Sequence, residues 1–324
     1  MSRTVPRRTV LAASGALPLA AACAASPVQE GDRVPGTAST AAPTDAAPTD
    51  FVLVHGAWHG SAHWAPVAAE LVARGHRALA VDLPGHGVVA RFPRAYLTGD
   101  AAGLSTEPSP IADVTLDVAA DAVVEALRGL REGRRIVLVA HSMGGAVATA
   151  AVERAPELVD HLVYVTAFVP TKLGSAFAYL SLPEAKTALG GGLYLGDPAA
   201  IGAVRINPRS TDPTYLEELR AAYYTDVTTE AFLPFALALT PDQPVSFLAT
   251  EVGATAERWG SVPRTYVRCT EDRALPIALQ DVLIRDADEL TPANRFRQVT
   301  LPTGHSPFAS RPAELAAVLA EVDR

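Results

Sequence analysis

Cysteine is scarce in this chain, with only Cys23 and Cys269 among 324 residues. Cys23 lies in the N-terminal leader, so the core is left with one thiol and no internal disulfide. Burial, not cross-linking, has to hold it together. Charged residues are also few, at 19% against 49% hydrophobic, which excludes global disorder and allows a sizeable core. Positive charge is in deficit: Lys and Arg number 27, Asp and Glu 35, for a formal net charge of −8 and a pI near 5.5. Such a surface repels phosphate backbones, which argues against nucleic acid as a partner and reads as a device for solubility. The core has no uninterrupted apolar run of about 20 residues, so no membrane span is expected there. No H-E-x-x-H pattern and no internal repeat of about 20–50 residues is present.

What is there begins with a leader. Arg3, Arg7 and Arg8 form a positive segment, and Val10 to Ala22 a short apolar one. The Arg7-Arg8 pair resembles a twin-arginine export signal, so residues 1–26 are expected to direct export from a bacterium, to be secreted or held at the envelope. Leu19-Ala20-Ala21-Ala22-Cys23 resembles a lipoprotein box. Cleavage before Cys23 leaves a lipid-anchored protein, and cleavage between Ala22 and Ser26 a soluble one; the residues leave both open. Residues 27–50, rich in Ala, Pro, Thr, Gly and Asp, read as a flexible linker.

From residue 51 onward, short apolar runs alternate with helical spacing. Strands are expected at 51–55, 77–82, 135–140, 162–168, 264–269 and 296–301. Helices are expected at 64–74, 115–130, 144–154, 277–286 and 312–322. Near-continuous runs such as Ile136-Val137-Leu138-Val139 suit strands buried on both faces. The expected fold class is therefore α/β, a mostly parallel, doubly wound sheet spanning residues 51–324. Between about 170 and 240 the rhythm breaks into helix-like pieces with no clear strand. This suits a mainly helical lid over the carboxyl edge of the sheet, where active sites of this architecture lie. Residues 91–111 form a second long, loop-like insertion.

The sharpest local signal is Ala140-His141-Ser142-Met143-Gly144-Gly145, where an apolar strand runs into a serine and small residues open a helix. That is the context of a nucleophile elbow, with Ala140 in place of the first glycine of G-x-S-x-G. His55-Gly56-Ala57-Trp58-His59-Gly60, also at a strand end, can aim backbone amides at an oxyanion. Ala57 and Met143 are the expected donors. Gly304-His305-Ser306-Pro307 follows the last strand, and His305 is the expected base. Asp272, at the end of the penultimate strand, is the expected acid, with Glu271 as its neighbour and competitor. His55, His59 and His63 recur every four residues, but the intervening glycines argue against a helix that presents them to a metal.

Together with Asp82-Leu83-Pro84-Gly85-His86-Gly87 and Cys269-Thr270-Glu271-Asp272, these motifs resemble one branch of the α/β-hydrolase superfamily. That branch holds the plant methylesterases, such as methyl salicylate esterases, and the related hydroxynitrile lyases. The resemblance covers most of residues 51–324, and is strongest at the motifs and weakest in the lid. It implies a Ser142–Asp272–His305 triad, in the chain order typical of such hydrolases. Lyases of the branch carry threonine and lysine where this chain has Gly56 and Ser306, which favours hydrolysis. The expected chemistry is cleavage of a small to medium hydrophobic ester or lactone through an acyl-enzyme, which requires no metal or organic cofactor. Trp58, Trp64, Tyr223, Tyr224 and Phe232 are candidate walls of the substrate pocket, with Phe177, Tyr179, Leu180, Tyr194 and Phe235 as further lid candidates. The alternatives are a lyase or cofactor-free C–C bond cleavage on the same fold, and a ligand-binding protein without turnover. The oligomeric state is not legible in the sequence.

Overall fold

The computed structural model describes residues 48–130 and 133–322. The leader, Cys23 and nearly all of the linker lie outside the described residues. Six parallel strands form the central sheet: β1 (Asp50–Val54), β2 (Arg77–Val81), β3 (Ile136–His141), β4 (His161–Val165), β7 (Arg264–Cys269) and β8 (Arg297–Leu301), in the order β2-β1-β3-β4-β7-β8. Every residue of β1, β3 and β4 is buried, as continuous apolar strands covered on both faces should be. Among the described residues no helix is long and apolar enough to cross a membrane.

The helices cover the sheet by their apolar faces. Leu116–Leu130 buries Leu116, Ala119, Ala120, Val123, Val124 and Leu127, one helical stripe. Its start is capped by Thr115, whose Oγ1 accepts from the Val118 amide at 3.2 Å. The helix Gly144–Arg154 is buried along nearly its whole length. Small residues are needed at its start. A Cβ on Gly144 would lie 2.4 Å from the His55 carbonyl oxygen, and one on Gly145 2.2 Å from that of Phe168.

Two expectations need correction and a third an addition. Thr49 and Asp50, read as the end of the linker, are buried, and Asp50 opens β1. Its carboxylate accepts hydrogen bonds from Arg77 Nε at 2.7 Å and Arg134 Nε at 2.8 Å, so an acid that looks like linker polarity is in fact paired at the sheet's edge. Residues 91–111 are not merely loop, since they hold the short helices Arg94–Thr98 and Ala101–Leu104. The lid is mainly helical, as expected, but it does hold a strand. Beside helices such as Pro213–Tyr223 and Thr229–Ala238, β5 (Ala203–Arg205) pairs antiparallel with β6 (Asp242–Pro244). Arg205 locks this pair, donating to both Asp242 oxygens at 2.5 and 2.8 Å, and to the carbonyls of Leu104 and Glu107 at 2.8 Å. Three-residue strands carry too little periodicity to be seen in a sequence.

Candidate active site

From β1 the chain steps outward to β2, then returns to β3 on the other side of β1. The crevice between the carboxyl ends of β1 and β3 is thus a topological switch point, where such sheets bind ligands. Three non-glycine residues among those described have positive φ: Trp58 (62°), Thr166 (38°) and Ser142 (52°). Each follows closely on the carboxyl end of β1, β4 or β3. Backbone strain of this kind, on the order of 1–3 kcal/mol each, persists only where the surroundings impose it, and it clusters at functional sites.

Ser142 tops the elbow between β3 and the helix Gly144–Arg154. Its Oγ–H donates to His305 Nε2 at 2.9 Å, and His305 Nδ1–H donates to Asp272 Oδ2 at 2.7 Å. All three residues are buried, with His305 3% exposed and Asp272 6%. Asp272 Oδ1 accepts from the amides of Ala274 and Leu275 at 2.7 and 2.8 Å. Thr166 Oγ1 donates to Oδ2. The carboxylate is therefore held by neutral donors on both oxygens, and faces the imidazole as an acceptor. Glu271, its competitor in the sequence, is exposed.

Ala57 and Met143 flank Ser142 on the cavity wall. Among the described residues neither backbone amide has a hydrogen-bond partner, although both residues are buried. Met143 is the N-cap of the following helix, where the backbone dipole also favours negative charge.

The cavity above Ser142 and His305 has a volume of about 180 Å³. Trp58, Tyr223, Phe177, Leu180 and Tyr194 line it, with Phe168, Val204, Val245, Leu248 and Leu275 completing an apolar chamber. Phe177 is 60% exposed and Tyr194 37%, which marks them as the rim. No Asp, Glu, Lys or Arg side chain is among its walls. Trp64, Tyr224 and Phe232, expected as walls, lie elsewhere, as do Tyr179 and Phe235. Trp64 packs on Phe308 and His141, and Tyr224 donates its hydroxyl to His59 Nε2 at 2.8 Å while Phe232 packs against its ring. Aromatic content marks both lid core and pocket, and sequence does not separate the two. A wider open cleft of about 380 Å³ near Asp82, Tyr96, Arg209 and Thr240 contains neither Ser142 nor His305.

The histidines at four-residue spacing are committed to the fold. His55 Nδ1 donates to the Gly56 carbonyl at 2.8 Å and Nε2 accepts from the Leu83 amide at 3.1 Å. His59 Nδ1 donates to the Ala57 carbonyl at 2.6 Å, and His63 Nε2 to that of Phe235 at 3.2 Å. Burial holds all three below the usual histidine pKa, and His55 falls to about 3. His141, which precedes Ser142, has its pKa depressed by burial and by the neighbouring His305. Its Nε2–H donates to the His305 carbonyl at 2.8 Å.

Two supports escaped the sequence reading. Thr166 is one, since nothing in Tyr164-Val165-Thr166-Ala167 announces a partner 106 residues away. The other is Ser306, whose hydroxyl donates to the Tyr223 carbonyl at 2.8 Å and ties the His305 loop to the lid.

A model of the alpha/beta hydrolase family matches residues 51–318. The chain belongs to that family. Methyl jasmonate esterase 1 of Vitis vinifera is 27% identical to this hydrolase over 278 residues, covering 84% of this chain and 95% of its own. Methylesterase 7 of Arabidopsis thaliana is 29% identical over 279 residues, covering 84% and 95%. A solved pyrethroid hydrolase from Sphingobium faniae superposes with a TM-score of 0.65 at 26% identity, covering 85% of this chain and 97% of that one. The hydrolase is thus placed among carboxylic ester hydrolases, with plant methylesterases, the branch its motifs resemble, among its relatives.

Proposed function

We propose that this hydrolase is a serine esterase that cleaves a small to medium hydrophobic carboxylic ester or lactone through an acyl-enzyme. The observation that carries the reading is the line of hydrogen bonds from Ser142 through His305 to Asp272, opening on an apolar cavity beside two uncommitted amides. In this cycle His305 Nε2 takes the Ser142 proton as Oγ bonds to the carbonyl carbon. Charge developing on the carbonyl oxygen is held by the Ala57 and Met143 amides, each donor being worth about 100- to 1,000-fold in rate. The tetrahedral adduct collapses, and the leaving alkoxide takes the proton from His305. Water then repeats the sequence at the acyl carbon, which releases the acid and restores the serine. Asp272 holds the imidazole tautomer and stabilises the imidazolium.

The cavity, about 180 Å³, is smaller than the roughly 300–1,000 Å³ typical of drug-sized ligands. The absence of Asp, Glu, Lys and Arg from its walls favours a neutral, apolar acyl group. Relatives named as esterases support ester hydrolysis. Export by the 1–26 leader belongs to the same reading, with release or lipid attachment at Cys23 as its two forms. Fractionating cells that express the full chain, with and without Arg7→Lys and Arg8→Lys together, tests the route.

The deciding experiment is hydrolysis of p-nitrophenyl esters from acetate to octanoate by the purified protein and by Ser142→Ala. Loss of at least about 10⁴-fold in the variant supports the serine mechanism. Retained activity overturns it. A wild-type protein inert on every ester moves C–C cleavage or ligand binding ahead.

A further inference from the structure

Resting on the serine esterase reading, we propose that Trp58 is the positioning residue through which the lid holds the Ala57 amide in place. Seating of the lid and completion of the oxyanion site are then one event.

Trp58 directly follows Ala57 and sits at φ 62°, a conformation that a bulky side chain keeps only under restraint. The restraint comes from the lid. The Trp58 carbonyl accepts from the Thr240 amide at 2.8 Å and from Thr240 Oγ1 at 3.0 Å. Its indole Nε1–H donates to the Val204 carbonyl at 2.8 Å. Val204 is the middle residue of β5, and Thr240 lies just before β6. The two strands are locked to each other and to the 91–111 insertion by the buried Arg205. On the other side, the Ala57 carbonyl accepts from His59 Nδ1 at 2.6 Å. The Ala57–Trp58 peptide is therefore held through the Ala57 carbonyl, and the Trp58–His59 peptide through the Trp58 carbonyl. The preceding Gly56–Ala57 peptide, which carries the Ala57 N–H, is held through the Gly56 carbonyl by His55 Nδ1 at 2.8 Å and the His59 amide at 3.3 Å. The whole turn keeps the Ala57 amide at the cavity wall before any charge forms there.

That order matters, because a donor aimed at a transition-state oxygen contributes only if it needs no reorganisation at the moment of reaction. The Trp58 ring also meets Tyr223 edge-on at 5.4 Å, and Tyr223 meets His305 edge-on at 5.8 Å. Lid, oxyanion turn and base thus share one packed contact. If the lid lifts, Trp58 loses both anchors, its backbone can relax from the left-handed region, and the amide loses its aim.

The test compares the full-length wild type with Trp58→Phe, which keeps an aromatic wall but removes Nε1–H, and Thr240→Val, which removes the Oγ1 bond to the Trp58 carbonyl, outside the cavity, and leaves the Thr240 amide bond in place. Expected is a fall in kcat of about tenfold for Trp58→Phe and a few-fold for Thr240→Val, less than the ~100-fold or more for a donor lost outright, with KM within about twofold. Affinity for a trifluoromethyl ketone analogue of the ester, which forms an oxyanion on addition of Ser142, should fall by the same factor as kcat/KM. Affinity for the isosteric methyl ketone should not change. Unchanged kcat in both variants overturns the proposal. So does equal weakening of both ketones together with KM, which makes Trp58 a wall and no more. If Trp58→Phe fails to fold by circular dichroism, Thr240→Val decides alone. An active Ser142→Ala sinks the esterase reading itself, whereas an inactive one beside normal Trp58 and Thr240 variants sinks only this inference.

Discussion

Thr166 and His305 converge on one atom: the Thr166 hydroxyl donates to Asp272 Oδ2, the oxygen that also accepts His305 Nδ1–H at 2.7 Å. The threonine thus shares in fixing the direction of the carboxylate. Thr166→Val should lower kcat/KM by about tenfold, the effect of roughly 1.4 kcal/mol in a buried hydrogen bond. Thr166→Ser, which keeps the hydroxyl, should recover most of it. Steady-state kinetics on one p-nitrophenyl ester decide the matter, and equal rates for all three proteins would remove Thr166 from the site.

Asp272 and Glu271 are adjacent in sequence but opposite in placement, one buried against His305 and the other exposed. Asp272→Asn should cost about 10⁴-fold in kcat, because the amide favours the wrong imidazole tautomer. Glu271→Gln should stay near wild type. A reversal of the two results would assign the acid to Glu271.

Gly56 has no room for a side chain. A Cβ there would lie 2.7 Å from His141 Nδ1 and 2.8 Å from Ser142 Cβ. Neither atom is the far end of a flexible chain, so the elbow itself has to shift. Gly56→Ala should lower kcat by about 100-fold, as misplacement of a reacting group by ~1 Å does. Threonine, the lyase residue at this position, is closed off more strongly still. Normal kcat in Gly56→Ala would mean that the elbow has slack.

The Arg205–Asp242 pair is fully buried, at 0% and 1% side-chain exposure. Removing one partner leaves the other charge unpaired in the interior. Arg205→Met should therefore cost about 3–5 kcal/mol in urea denaturation. Arg205→Met with Asp242→Leu should be far less damaging. A single variant as stable as wild type would show the pair to be solvated.

Five histidines, at 55, 59, 63, 86 and 141, have pKa values lowered from 6.5, chiefly by burial. The folded state keeps them neutral, while the unfolded chain takes up protons near pH 6.5. Their contribution is fully present above that pH and is lost as pH falls, with His55 holding out to about 3. Each can add up to about 1.4 kcal/mol per pH unit to the slope. Thermal melts should show a steady Tm above pH 7 and a steep decline from pH 6.5 to 5. A flat Tm over that interval would mean that the cluster takes up protons without unfolding.

The central sheet was legible because its signal is local and repeated. Runs such as Phe51-Val52-Leu53-Val54 and Val137-Leu138-Val139-Ala140 are buried on both faces, and Leu116–Leu130, between them in the chain, carries one apolar stripe. Ser142, Asp272 and His305 could be named because each follows a strand at the same edge, so parallel order alone delivers them to one crevice. The Thr166 hydroxyl and the Ser306 tie to Tyr223 could not be named, since their partners lie 106 and 83 residues away with no pattern linking them.

By itself, then, the sequence determined the parallel α/β core and which residues stand at its carboxyl edge, since hydrophobic period and strand-end chemistry are written in neighbouring residues. Only the tertiary structure decided which lid aromatics face the cavity. It also decided that β5 and β6 pair around Arg205 and that Asp50 belongs to the sheet. Those outcomes depend on how distant segments fill one volume and satisfy each other's buried polar groups, a condition that no local stretch of chain contains.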